Sequence, residues 1–166
     1  MKTRTLVLAT LLALGLIAGA VALSACGSSS DTPDTSSGST ADIEIVAPGD
    51  FSSADYAGQP LVINFFGSWC GPCNAEAPDL ATFATDNPDA QIVGIAVDDS
   101  EDDAVGFMNE YGLSFPLVVD DQTLAGEYGI TGVPTTIFFD AQGQEAERLV
   151  GVSTLAQFNA GLAKAQ

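Results

Sequence analysis

Leu61-Val62-Ile63-Asn64-Phe65-Phe66-Gly67-Ser68-Trp69-Cys70-Gly71-Pro72-Cys73 is the stretch from which the rest of this chain can be read. Its first six residues are almost wholly apolar and rich in β-formers, as expected of a strand buried on both faces. From Gly71 the pattern turns helical, with Ala75, Leu80, Phe83 and Ala84 supplying an apolar face. Pro72 is tolerated at an early helical position, Pro78 is expected to kink the helix, and Asn87-Pro88-Asp89 to stop it. Between strand and helix lie two of the three cysteines in the chain. A Cys-x-x-Cys in that place is where thiol–disulfide exchange is usually done.

The same reading extends in both directions. Ile43–Val46 is predicted as a short edge strand and Gln91–Val97 as the next buried strand. Ser100, followed by Glu101, Asp102 and Asp103, marks a capped helix start with acids placed to favour the dipole; this helix runs to Tyr111 and stops at Gly112. Phe115–Val119 reads as a strand and Gln122–Tyr128 as a short helix. Thr135–Phe139 and Glu147–Val150 form a hairpin around Asp140-Ala141-Gln142-Gly143, and Leu155–Lys164 is the closing helix. Strands alternating with helices, then a hairpin and a last helix, predict an α/β fold: a mixed central sheet flanked by helices on both faces.

Residues 1–25 read as a targeting segment, with Lys2 and Arg4 ahead of an apolar run from Leu6 to Leu23. Leu23-Ser24-Ala25-Cys26-Gly27 resembles the bacterial lipobox, which implies lipid on Cys26 and removal of the peptide before it. Each buried methylene of such a lipid contributes about 0.8 kcal/mol to membrane binding. The stretch 27–41 has no large apolar side chain, so 26–42 reads as a lipidated cysteine and a flexible Ser/Thr/Asp-rich linker. The folded domain is then 43–166, one core's worth of chain.

Charge and composition narrow the function. All 22 acidic residues follow Cys26, against only Arg148 and Lys164. Nucleic acid is excluded as a partner because phosphate contacts need a basic footprint, and docking on anionic headgroups is disfavoured for the same reason. The acidity fits either a solubilising surface or the steering of a basic partner. Histidine is absent altogether, which removes Ser-His and Cys-His nucleophile pairs and histidine metal ligands. Two domain cysteines alone make a poor zinc set, so no metal is expected, and no cofactor beyond a redox-active Cys70–Cys73 disulfide.

The geometry implied by the spacing supplies a mechanism. Cys70 at a helix N-terminus has unpaired N–H groups and the dipole to stabilise a thiolate, and Cys73 lies on the same helix face. Cys70 attacks a substrate disulfide, and Cys73 resolves the mixed disulfide; run backwards, the same steps oxidise a dithiol.

Trp-Cys-Gly-Pro-Cys after an apolar strand resembles the thioredoxin superfamily. The wider run Asn64 to Leu80, together with Tyr128-Gly129-Ile130-Thr131-Gly132-Val133-Pro134-Thr135-Thr136, is similar to the membrane-tethered TlpA/ResA-type disulfide reductases. The resemblance covers about residues 45–165 and implies a thioredoxin-like fold. It further implies a cis Pro134 packed against the cysteine pair, so that the Val133 backbone can pair with an extended substrate segment. Trp69, Gly71 and Pro72 join Val133 and Pro134 as implied substrate contacts. Asn64 stands where thioredoxins keep a buried aspartate, and Glu76 matches the active-site glutamate of the TlpA/ResA group. A carboxylate near the resolving thiol could take or return its proton. Asn74 stands where the family often has a basic residue.

The expected function is an extracytoplasmic, lipid-anchored thiol–disulfide oxidoreductase on the bacterial cell membrane. It is expected to be a monomer that reduces protein disulfides, for example in cytochrome c maturation. It acts on protein thiols and disulfides and, as a reductase, needs a membrane electron-transfer partner. A Gly-Pro between the cysteines, without histidine, favours a reductant, whereas the oxidising location argues the other way. A dithiol oxidase of secreted proteins, a thiol peroxidase and a non-catalytic lipoprotein adaptor remain as alternatives.

Overall fold

A computed structural model describes residues 43–166. The targeting segment, Cys26 and the linker lie outside the described residues.

Six strands form one sheet in the order β1-β4-β3-β2-β5-β6. These are β1 (Ile45–Val46), β2 (Leu61–Phe66), β3 (Gln91–Val97), β4 (Leu117–Asp120), β5 (Thr135–Phe139) and β6 (Glu145–Val150). The first four in that spatial order run parallel; β5 is antiparallel to β2, and β6 to β5. Four helices complete the fold: α1 (Gly71–Asp86), α2 (Glu101–Tyr111), α3 (Thr123–Glu127) and α4 (Leu155–Ala165). Single 3₁₀ turns at Pro48–Asp50 and Ser53–Tyr56 link β1 to β2. No helix among the described residues is long and apolar enough to cross a membrane.

Strand periodicity sorts the core into two layers. Leu61, Ile63 and Phe65 face one side with Val93, Ile95, Ile137 and Leu124. Val62 and Phe66 face the other, with Leu80 and Phe83 of α1, Phe107 and Met108 of α2, and Phe158 and Leu162 of α4. Asn64 alternates onto this second side and is the one polar residue in β2, held at the sheet's centre between β3 and β5. α4 approaches β5 so closely that a Cβ on Gly161 would lie 2.5 Å from the Phe138 ring.

Several elements depart from the sequence reading for identifiable reasons. β4 starts at Leu117 rather than Phe115, because Pro116 has no N–H for the ladder and Leu117 supplies the first, to Glu44 O at 2.8 Å. α3 starts one residue late, because Gln122 is left-handed at φ 77° and cannot be helical. β6 begins at Glu145, two residues earlier than expected, behind a tight turn in which Asp140 Oδ1 accepts from Gln142 N and Gln144 N. β1 is shorter than predicted. α1 continues through Pro78, whose ring is exposed, to Asp86. β2, β3 and α2 span the predicted residues; Ser100 Oγ caps α2 by accepting from Asp103 N, and Gly112 ends it at φ 69°.

Candidate active site

The site lies at the C-terminal ends of the parallel strands, where an open α/β sheet leaves a crevice. Cys70 is the N-cap of α1, with extended backbone, and its Sγ accepts from Cys73 N at 3.1 Å. The two cysteines are disulfide-bonded, with Cα atoms 5.2 Å apart. Both sulfur-bearing residues are buried, whereas Gly71 and Pro72 between them are exposed.

The loop carrying Trp69 is stapled to the end of β3. Asp99 accepts from Ser68 N at 2.6 Å and from Ser68 Oγ at 2.8 Å. Trp69 Nε1 donates to the carbonyls of Val97 and Asp98, leaving the indole 60% exposed beside the cysteine pair. Gly67 makes this possible: a Cβ there would sit 2.7 Å from the indole. Asn74 does no cationic work. Its Nδ2 donates to the carbonyls of Ser68 and Cys70, and its Oδ1 accepts from Tyr111 Oη at 3.0 Å. Asn74 thus braces the active-site turn from within α1.

Val133-Pro134 closes the other side. The peptide bond is cis, Pro134 is buried, and the Val133 carbonyl oxygen lies 3.6 Å from Cys70 Sγ. Thr135 Oγ1 donates to Gly132 O at 2.8 Å, fixing the entry to β5. Gly151 N donates to Pro134 O at 2.9 Å, tying the segment after β6 to the same loop.

Glu76, one turn beyond Cys73 on α1, is 2% exposed. Its Oε1 accepts from Asn64 Nδ2 at 3.1 Å and its Oε2 from Ser153 N at 2.9 Å. Asn64 also donates to Thr136 Oγ1 at 2.9 Å, so β2, β5, α1 and the loop before α4 meet at this carboxyl group. Burial pushes the Glu76 pKa up to about 7; the hydrogen bonds from Ser153 and Asn64 oppose this and are outweighed. A buried carboxyl group balanced near neutrality can hold or release a proton at working pH. Among the described residues no three His, Cys, Asp or Glu side chains come together as a metal site.

The sequence-predicted residues Trp69, Cys70, Gly71, Pro72, Cys73, Glu76, Val133 and Pro134 are thus brought to one end of the sheet. Cys26 lies outside the described residues. Ser153 and Asp99 were not foreseen, nor was the bracing role of Asn74, of which only the position had been noted. Ser153 contributes a backbone N–H, and Asp99 acts on a distant partner, its one hint being its place two residues past a buried strand.

The comparisons with known proteins agree with this geometry. The family model described as AhpC/TSA family matches residues 38–145. A Bacillus thuringiensis (strain Al Hakam) protein named thiol-disulfide oxidoreductase ResA is 34% identical over 113 residues, covering 66% of this chain and 65% of its own length. The chain therefore spans somewhat less than two thirds of that relative. A secreted Mycobacterium tuberculosis disulfide oxidoreductase, described as homologous to E. coli DsbE, superposes with TM-score 0.63 at 28% identity, over 68% of this chain and 87% of its own. A thioredoxin-family thiol:disulfide interchange protein from Chlorobium tepidum TLS gives TM-score 0.62 at 32% identity, over 69% and 85%. The TlpA/ResA resemblance noted in the sequence meets relatives that carry the ResA name. With its thioredoxin-like fold and a family model matched over most of the chain, this protein belongs to the AhpC/TSA family.

Proposed function

We propose that this protein is an extracytoplasmic thiol–disulfide oxidoreductase, anchored by lipid on Cys26, that reduces disulfides in protein substrates through Cys70 and Cys73. The observation that carries this reading is one cluster: a Cys-x-x-Cys at a helix N-terminus, the Val133 carbonyl 3.6 Å from Cys70 Sγ, and a buried Glu76 one turn beyond Cys73. The names of the relatives support it, and the secreted M. tuberculosis protein supports the location.

The chemistry follows from the atoms present. In the reduced protein, the Cys70 thiolate is stabilised by Cys73 N–H and the start of α1. It attacks one sulfur of a substrate disulfide and expels the other as a thiolate, forming a mixed disulfide on Cys70. Val133 offers its backbone to an extended substrate segment, and Trp69, Gly71 and Pro72 form the exposed rim. Glu76 accepts the Cys73 thiol proton, and Cys73 then attacks Cys70 Sγ and releases the second substrate thiolate. Two electrons pass to the substrate, whose two thiolates then take up one proton returned by Glu76 and one from solvent, leaving the Cys70–Cys73 disulfide. Restoring the dithiol requires a membrane electron-transfer partner. Cytochrome c thiols awaiting haem are a suitable substrate class, and the protein is proposed to act as a monomer.

Trapping tests this reading. Cys73→Ser should accumulate mixed disulfides on Cys70 in cells, visible on non-reducing gels and lost with Cys70→Ser. If Cys73→Ser captures no protein under any redox condition, the oxidoreductase reading falls. Consumption of peroxide with a dithiol donor, at rates above those of insulin reduction, would favour a thiol peroxidase instead.

A further inference from the structure

Beside the cysteine pair lies a cavity of about 370 Å³, walled by Trp69, Val97, Ile130 and Val133, with Asp98 and Gln122 among its polar lining. Two features single it out. Asp98 and Gln122 are the only non-glycine residues with positive φ among the described residues, at 52° and 77°. Their side chains are joined, with Gln122 Nε2 donating to Asp98 Oδ1. Left-handed backbone at non-glycine residues is costly and clusters at functional positions. Here it bridges the ends of β3 and β4, and the Asp98 carbonyl also holds the Trp69 indole.

The second feature is the state of the carboxylates. Four aspartates sit at these strand ends, each with a hydrogen-bond donor nearby, and of the four only Asp98 lines the cavity. Asp99 accepts from Ser68 and Ser100, Asp120 from Leu124 N and Ala125 N, and Asp121 from Thr123. Asp98 uses Oδ1 for Gln122, and its Oδ2 accepts no hydrogen bond among the described residues. No cation of the domain is free to reach it, since Arg148 and Lys164 pair with Glu145 and Glu147. The cavity therefore offers apolar walls, one aromatic face and one carboxylate oxygen without a partner.

We propose that this cavity takes a lysine or arginine side chain adjacent to the reacting cysteine of the substrate. The proposal rests on the oxidoreductase reading above and names its substrate class: cysteine segments with a neighbouring cation. A long aliphatic stem packs along Val97, Ile130 and Val133, and the cationic head meets Trp69 and Asp98. Val133 lines the cavity and also lies against Cys70 Sγ, so a residue next to the substrate cysteine is within reach. Norleucine, which has a similar stem and no charge, retains the packing and loses the carboxylate.

The test compares synthetic peptide disulfides carrying lysine, norleucine or glutamate beside the cysteine. At low salt the native domain should exchange with the lysine peptide about fivefold faster than with norleucine in kcat/KM, with glutamate slowest. Asp98→Asn, in a residue type that tolerates left-handed backbone, should bring the lysine-to-norleucine ratio close to one. Asp98→Gly should do the same and serves if the asparagine variant folds poorly. Asp89→Asn removes an equal charge at the opposite end of the sheet and should leave the ratio unchanged.

An unchanged ratio in both Asp98 variants overturns the proposal. So does an equal loss in Asp89→Asn, which would mean a diffuse field rather than a site. Trp69 is the chain's one tryptophan, so its fluorescence reports cavity occupancy by serine-for-cysteine peptides without any exchange. Lysine-dependent quenching that Asp98→Asn abolishes, with no exchange on any peptide, would keep the cavity and sink the oxidoreductase reading. Exchange at equal rates on lysine and norleucine peptides would do the reverse.

Discussion

Replacing Glu76 by Gln should remove a large part of the pH dependence of stability between the carboxyl group's ordinary 4.5 and the value of about 7 that burial gives it. In that interval the folded chain keeps a proton on Glu76 that the unfolded chain has released, so stability falls as pH rises and then levels off above about 7. At about 1.4 kcal/mol for each tenfold change in proton affinity, the total is about 3 kcal/mol.

Glutamine mimics the protonated acid. Its oxygen can accept from Ser153 N, and Asn64 can turn its amide so that Oδ1 faces the new NH₂ and the Thr136 hydroxyl. Parent and variant should therefore match within about 1 kcal/mol at pH 4.5, and the variant should be about 3 kcal/mol more stable at pH 8. Urea unfolding of the oxidised proteins across this range gives the difference directly. Reading the difference matters, because Glu145, held below the usual carboxylate range by its hydrogen bonds to Arg148, loses stability in the opposite direction as pH falls. Parallel curves for parent and variant from pH 4.5 to 8 would refute the claim that burial controls Glu76.

Asn64→Ala removes a donor that favours ionised Glu76, so the midpoint of the pH-dependent change should move upward; a downward shift in a titration of unfolding free energy would contradict this. Gly161→Ala drives a methyl group into the buried Phe138 ring, itself packed edge-on against Phe83, and should cost about 1–3 kcal/mol in urea unfolding. Stability equal to the parent would mean that α4 can shift away from β5. Cys26→Ser should move the protein from the membrane to the soluble fraction while leaving insulin reduction in solution unchanged, and persistent membrane binding would count against a lipid anchor.

How much of this was legible in the sequence depends on whether the deciding interaction is local. β2 and β3 were readable because strands covered on both faces need uninterrupted apolar runs. α2 was readable because Ser100 and Gly112 carry its cap and stop in their own chemistry. Cys70 falls at the start of α1 as its spacing suggested. Gln122 gave no sign of its left-handed backbone, because glutamine has no local preference for it; its bond to Asp98 crosses between the ends of two neighbouring strands. Ser153 was equally silent. It contributes a backbone N–H to Glu76 from 77 positions away, and any non-proline residue there carries the same group. Asn64 and Glu76 were singled out by resemblance, but only the packed structure joins them through a direct hydrogen bond.

The central claim is that Cys70 and Cys73 form a couple that gives electrons to substrate disulfides. Its most direct test is the reduction potential of that couple, measured by equilibrating the purified domain with dithiol buffers and counting free thiols by mass. A reductase requires a value near that of thioredoxin, about −270 mV, with Cys70→Ser showing no couple at all. A value near that of DsbA, about −120 mV, would mean that the site accepts electrons from its substrates and would contradict the proposed direction.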